Sequence, residues 1–402
     1  MLLIIIFHFN LHTDFNGNFD PYSPTILMHI FSLNWGETAV LAFIVITGYF
    51  TINQSVKISK IISIAIEVLF YSIVITIIGT ITGVITFDGF YAIEMLFPII
   101  STSYWFISFY VVLLILSPYL NKMLKSITKT QYILFISTLF FLTICLRIIP
   151  VTSFIFSSYI ISFVLAYSIG GYFYLYPSKF STDKKIGLVL ILICIIYILL
   201  FDHFLIETYY RETVETEFGY WPMFFFMIAS SAIILFILLS KHVSNKLRYL
   251  VIASILLYLI SLPILAYTKQ WSVINEFRRP DCGLCLILAI SLFLIFKNMK
   301  PRYNKAVNWI SASVLSVYII HDSNVLRKYL WNDVVHANDI LSAPLIEYLT
   351  VLIVSAIVIF FVCIAIDKVR IYLIFKPLGK WINRYQSFIE RKINDISDSL
   401  NK

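Results

Sequence analysis

His8 follows the unbroken apolar run Leu2-Leu-Ile-Ile-Ile-Phe7, and His12 lies one turn further along the same helical face. Ionisable side chains are costly inside a bilayer, so each one in an apolar stretch is a functional candidate. An imidazole there takes or gives a proton near neutral pH, which is the chemistry needed to activate a hydroxyl nucleophile. The structural alternative for His8 is a hydrogen bond between helices. As a metal pair, His8 and His12 lack a third ligand in sequence reach, and Cys282-x-x-Cys285 lacks a second pair, so no metal centre is expected.

Three further segments carry candidate chemistry. Ile46-Thr-Gly-Tyr-Phe50 closes an apolar run and is followed by Lys57-Ile-Ser-Lys60, two cations on one helical face that can hold phosphates or simply mark the cytoplasmic side. Tyr104-Trp-Phe106 opens a long apolar stretch that ends in Ser117-Pro-Tyr-Leu-Asn-Lys122. Late in the chain, Ser316-Val-Tyr-Ile-Ile-His-Asp322 places His321 where an apolar helix meets a surface, beside an acid able to orient its ring, with Arg327 following. An outer-end helix cap is the structural alternative for His321.

The elements that must position these residues are membrane helices. Of 402 residues, 60% are hydrophobic and only 13% charged, with mean hydropathy +0.89, far from a soluble chain. Apolar runs fall at 36–53, 61–86, 104–121, 132–149, 154–176, 186–202, 221–240, 247–267, 283–296, 307–321 and 345–366, after a short first one ending near Leu11. The expected fold is therefore all-α, a polytopic transmembrane bundle of about 11–12 spans. The first span is expected to be truncated at its N-terminus. Residues 1–366 form the membrane domain and 367–402 a basic tail. Trp381, Tyr385, Phe388, Ile389, Ile396 and Leu400 make that tail an expected amphipathic helix on the inner leaflet.

Charge orients the bundle. Most of the 30 lysines and arginines fall on alternate connections, at Lys57 to Lys60, Lys122 to Lys129, Lys179 to Lys185, Lys241 to Arg248 and Lys297 to Lys305, and in the tail. That side and the C-terminus are assigned to the cytoplasm of a multi-pass cell-membrane protein. The net charge of +8 sits in clusters between apolar runs, not along one stripe, so nucleic acid is not an expected partner; membrane lipid is. Connections are short apart from 12–35, 203–220 and 322–344, which leaves no soluble catalytic domain. Five cysteines lie in or beside apolar runs and read as small buried hydrophobes.

Taken in order and spacing, these segments resemble the acyltransferase-three family of integral membrane acyltransferases, especially the branch that decorates capsular and other exopolysaccharides. The match rests on a first-helix histidine, Thr47-Gly-Tyr-Phe50 in place of Ser-Gly-Tyr-Phe, the Tyr-Trp-Phe helix with its Ser-Pro-x-Leu-Asn-Lys end, and the late Tyr-x-x-His-Asp. The resemblance implies an O-acyltransferase, most simply an O-acetyltransferase. Its donor would be cytoplasmic acyl-CoA, commonly acetyl-CoA, and its acceptor a hydroxyl of a surface or lipid-linked polysaccharide, with no permanently bound cofactor. It makes His8 the catalytic base, with His321 and Asp322 as further candidates. Lys57 and Lys60 hold the donor, and Tyr104, Trp105 or Arg327 meet the substrate or its oxyanion. Two positions depart from the family pattern. The arginine expected about eleven residues before the histidine would precede Met1, and the cytoplasmic Arg-x-x-Arg is Lys57-x-x-Lys60 here, keeping charge but losing the bidentate guanidinium geometry. The rival from another class is a non-acylating polysaccharide polymerase or lipid-linked sugar flippase, which would lean on Arg211, Arg278, Arg279 and Arg327.

Overall fold

A computed structural model describes residues 1–13, 23–54, 57–101, 103–145, 159–210 and 283–377, with residues 379, 384, 387 and 388 beyond them. The described chain is helical, with no strand. In chain order the helices are α1 Leu2–Leu11, α2 Pro24–Ser32, α3 Trp35–Thr51, α4 Ile58–Ile81, α5 Gly89–Leu96, α6 Trp105–Ser126, α7 Lys129–Phe140, α8 Tyr159–Leu175, α9 Lys184–Tyr210, α10 Gly283–Lys297, α11 Lys305–Ser311, α12 Val314–His321 and α13 Leu345–Val369. A π turn, Arg370–Phe375, extends α13. Among the described residues, four helical stretches are long and apolar enough to cross a membrane: Pro24–Thr51, Ile58–Ile81, Trp105–Ser126 and Leu345–Phe375. Shorter apolar helices at Leu2–Leu11, Tyr159–Leu175 and Leu284–Lys297 join them. On α13 the outward side is apolar, with Val354, Ile357, Val358, Phe361 and Val362 all exposed, the signature of a face covered by lipid.

Several boundaries differ from the hydrophobic pattern, each for a local reason. The run at 307–321 is two short helices, α11 and α12, because the chain turns at Ala312-Ser313 and Ser313 is buried there. The run at 61–86 starts earlier and stops at Ile81, where Thr82 and the positive φ of Gly83 (74°) end the helix. Two connections hold helices that composition does not announce. Ser23 caps α2, with Pro24 at its first position, and Asp88 caps α5 by accepting from the Tyr91 amide. The expected spans at 221–240 and 247–267, and the amphipathic face of the tail apart from Phe388, lie outside the described residues. Cys194, Cys285 and Cys363 are buried, as their apolar settings suggest.

Two sequence segments that look functional are explained by packing. α3 packs against α8, α10 and α1. At the α3–α8 crossing, a Cβ on Gly48 would strike the Tyr167 carbonyl, and one on Gly170 would strike that of Val45. The two helices approach backbone to backbone, as small residues permit in membranes. Gly48→Ala should therefore lower stability by about 1–3 kcal/mol. The check is a lower melting temperature in detergent and loss of monodispersity.

The Ser117-Pro118 pair sits inside α6 without breaking it. Pro118 has no amide for the Leu114 carbonyl, and the Ser117 hydroxyl donates to that carbonyl instead, at 2.8 Å. One turn on, Asn121 Nδ2 donates to the Thr51 carbonyl at 2.8 Å, closing the open C-terminal end of α3. Its Oδ1 accepts from the Tyr167 hydroxyl of α8 at 2.7 Å. These motif residues tie α3, α6 and α8 together at the end of the bundle that leads to Lys57.

Candidate active site

α1 is wedged between α3, α12 and α13, and its neighbours fix its rotation. Gly36 of α3 leaves room for the Phe7 ring. On another side, Phe9 meets Trp331 and Tyr348 edge-on, with centroids 5.8 and 6.1 Å apart, and the Tyr348 hydroxyl donates to Asn10 Oδ1 at 2.5 Å. With those faces taken, His8 is turned toward the end of α12. There it meets His321 and Asp322, the last residue and C-cap of that helix. All three are buried, with relative exposures of 4%, 1% and 6%.

Donor and acceptor roles follow from the partners. A carbonyl oxygen only accepts, so the hydrogen between His321 Nδ1 and the Val317 carbonyl, 2.5 Å apart, belongs to Nδ1. Neutral His321 then presents a lone pair at Nε2, and His8 Nδ1, 2.8 Å away, is the donor. That leaves His8 Nε2 as the basic nitrogen, 3.5 Å from Asp322 Oδ2. The other carboxylate oxygen accepts from His12 Nε2 at 3.3 Å. A proton arriving on His8 Nε2 would face a carboxylate, and the remaining ring nitrogen is already held by His321.

Of the residues expected from sequence, His8, His321 and Asp322 thus converge from positions more than three hundred apart in the chain. Arg327 lies close enough for its charge to act on His8. Tyr104 stands at the N-terminal end of α6, its ring 6.3 Å from that of Tyr318. Trp105 points elsewhere, its ring lying 4.8 Å from that of Tyr159 on α8. Lys57 and Lys60 stand exposed at the start of α4, remote from the histidines.

The depth separating them can be read along α4. Ser72 donates to the Glu94 carbonyl at 3.1 Å, and the Glu94 carboxylate accepts from Asn324 at 2.8 Å, two residues beyond Asp322. Ser72 therefore marks the level of the histidines. Lys60 precedes Ser72 by twelve residues of α4, about 18 Å along the axis at the helical rise.

Sequence reasoning gave no role at this site to four residues that the structure brings there. His12 shares Asp322 with His8, although the family resemblance selected His8 over it. Glu94 and Asn324 pair across the same rim; the buried acid in the short amphipathic α5 was its only sequence signal. Tyr318 lies one turn before His321, with its ring 6.3 Å from both His8 and His321. Its buried hydroxyl has no acceptor for its proton among the described residues. The i, i+3 spacing of Tyr318 and His321 was the available clue.

Comparison with known proteins gives one result. No curated protein and no solved structure matches the chain. Residues 1–278, more than half of the sequence, match a family described as an acyltransferase domain. That stretch contains His8, the two lysines and the Tyr104 helix, and it ends before His321 and Asp322. The chain, a helical multi-pass membrane protein, belongs to the acyltransferase-3 family of membrane acyltransferases.

Proposed function

We propose that this protein is an O-acyltransferase, most simply an O-acetyltransferase. It moves an acyl group from cytoplasmic acyl-CoA to a hydroxyl of a cell-surface or lipid-linked polysaccharide. The observation that carries the reading is the buried His321–His8–Asp322 array with one basic nitrogen left open, His8 Nε2. A sugar hydroxyl is a poor nucleophile at neutral pH, and a base held within reach of it is the missing component.

The donor's shape fits the spacing of the site. A head group carrying phosphates would rest on Lys57 and Lys60, at the mouth of the bundle. Its acyl group must then travel about 18 Å along α4 to reach the histidines. An acyl-CoA, with phosphates at one end of a long thin arm and a thioester at the other, answers both requirements. The charge asymmetry of the connections puts this mouth, and the C-terminal tail, on the cytoplasmic side.

In the reaction, His8 Nε2 removes the hydroxyl proton as the sugar oxygen attacks the thioester carbonyl carbon. The resulting imidazolium faces Asp322. Collapse of the tetrahedral oxyanion breaks the carbon–sulfur bond, and the departing thiolate takes the proton back from His8. Products are the sugar ester and free CoA thiol. The oxyanion needs donors. The unspent Tyr318 O–H, its ring 6.3 Å from those of His8 and His321, and the Arg327 guanidinium are proposed for this role.

The test is the surface polysaccharide of a deletion strain, analysed by mass. Polymer of normal length that has lost its acyl groups, restored by the wild-type gene, is the expected result. Shortened or missing polymer would assign the protein to polymerisation or flipping instead. Complementation with the Lys57→Gln/Lys60→Gln double variant should restore acylation only at raised acyl-CoA supply. Unaltered donor dependence would reduce the lysines to topology markers.

A further inference from the structure

Between the lysines and the histidines, the bundle holds a second buried polar cluster. Asp367 is fully buried on α13, and Arg370, one turn on, folds back to it with Nε 2.7 Å from Oδ1. The π turn that begins at Arg370 widens the helix there. Glu67 of α4 pairs with Arg370 Nη2 at 3.3 Å. Tyr71, one turn further on α4, donates to Asp367 Oδ1 at 2.8 Å. The Ser316 hydroxyl of α12, fully buried, lies against Glu67 Oε1 and 2.6 Å from Asp367 Oδ1. The guanidinium is further enclosed by the Tyr71 and Phe375 rings, at 5.3 and 4.6 Å.

A buried carboxylate and guanidinium with a half-buried second carboxylate among three helices are costly, and their retention calls for a reason beyond stability. The cluster contains no residue of the histidine array, and Asp367 Oδ1 takes its hydrogen bonds while Oδ2 has no partner among the described residues. Of the three helices that hold the cluster, α12 is the one that also carries His321 and ends at Asp322. This eight-residue helix has Ser316 in the cluster near one end and His321 with Asp322 at the other, about 7.5 Å along the axis. α12 is also too short to hold its own register by length, and the chain turns sharply just before it at Ala312-Ser313.

We infer that Ser316 is a positioning residue: the Glu67–Asp367–Arg370 cluster grips it and so sets the axial position and rotation of α12, which brings His321 Nε2 into hydrogen-bond distance of His8. This rests on the proposed role of His8 for its catalytic consequence, but not for its structural one. The cluster has two kinds of bond. Ser316 bonds α12 to both α4 and α13, whereas Tyr71 gives its hydrogen to Asp367 and so joins α4 to α13. The helices can therefore be tested separately.

The experiment compares full-length wild type, Ser316→Ala and Tyr71→Phe in detergent, at matched amounts of monodisperse protein. Diethylpyrocarbonate modification of His8, His12 and His321 is followed peptide by peptide, alongside kcat and KM for acyl transfer. Ser316→Ala should raise the modification rates of His8 and His321 about tenfold, the shift in an opening equilibrium that one buried hydrogen bond commands. It should also lower kcat at least about tenfold while KM for the donor stays within twofold, because a small misplacement of a catalytic group is expensive in rate. Tyr71→Phe should move each quantity less than about twofold. Wild-type protection in Ser316→Ala overturns the inference, as does an equal response to both substitutions, which would signify general loosening. If wild type transfers no acyl group yet Ser316→Ala unmasks the histidines, the positioning role stands and the proposed chemistry falls. Normal transfer by an unprotected Ser316→Ala protein would remove the array from the mechanism.

Discussion

His8→Ala should reduce glycan acylation by about 10²–10⁴-fold, the range a positioned general base contributes, while membrane abundance and detergent monodispersity stay near wild type. The structural half of that expectation comes from the array. His8 donates to His321 and faces Asp322, so its removal would leave a buried carboxylate unpaired were it the sole partner. His12 holds the other oxygen of Asp322 and keeps that charge satisfied. The loss should therefore appear in kcat before it appears in protein level. Protein amount must be measured with activity, since a histidine serving only to join α1 to α12 would take both down together. A well-expressed His8→Ala variant that acylates at near wild-type rate would move the base to His321.

Much of this site was legible one residue at a time. An imidazole in an unbroken apolar run stands out because few ionisable groups are tolerated there, and the same reasoning selected His321 and Asp322 at a helix end. What one sequence does not contain is the pairing. His8 and His321 meet through the packing of Phe7, Phe9 and Asn10 against three helices, and nothing in their spacing encodes that. For the same reason Glu67 inside the run at 61–86, and Asp367 and Arg370 at the start of the tail, carry no assigned role until α4, α12 and α13 bring them into one cluster. Fold class was readable throughout, because apolar length and charge asymmetry are properties of the chain itself. Helix ends were less so. The break between α11 and α12 depends on a buried serine, and α2 and α5 are set by caps at Ser23 and Asp88, whose effect is local and easily lost among apolar neighbours. The Thr-Gly-Tyr-Phe and Ser-Pro segments show the opposite case. They carry much of the family resemblance, yet here they close α3 and let it approach α8, which is a packing task.

Asp322→Asn should cost about a thousandfold in kcat. In the resting array His8 is neutral, with its bare Nε2 turned toward Asp322 Oδ2 at 3.5 Å. Once that nitrogen takes a proton, a cation sits opposite a carboxylate in a buried site, and at an effective dielectric of about 20 such a pair is worth about 4 kcal/mol. Asparagine preserves the shape and removes the charge, so the loss falls on the protonated state, which the reaction must pass through. It also introduces an N–H donor that can occupy the His8 lone pair and block the base directly. His12→Ala gives the comparison, because it leaves the carboxylate facing His8 and removes only its second partner. Its cost should stay within about tenfold, the effect of one neutral hydrogen bond. Asp322→Glu restores the charge at the wrong reach and should fall between the two. Steady-state kinetics on purified, monodisperse variants would decide the matter. Asp322→Asn activity within fivefold of wild type would mean that the charge on Asp322 is not used.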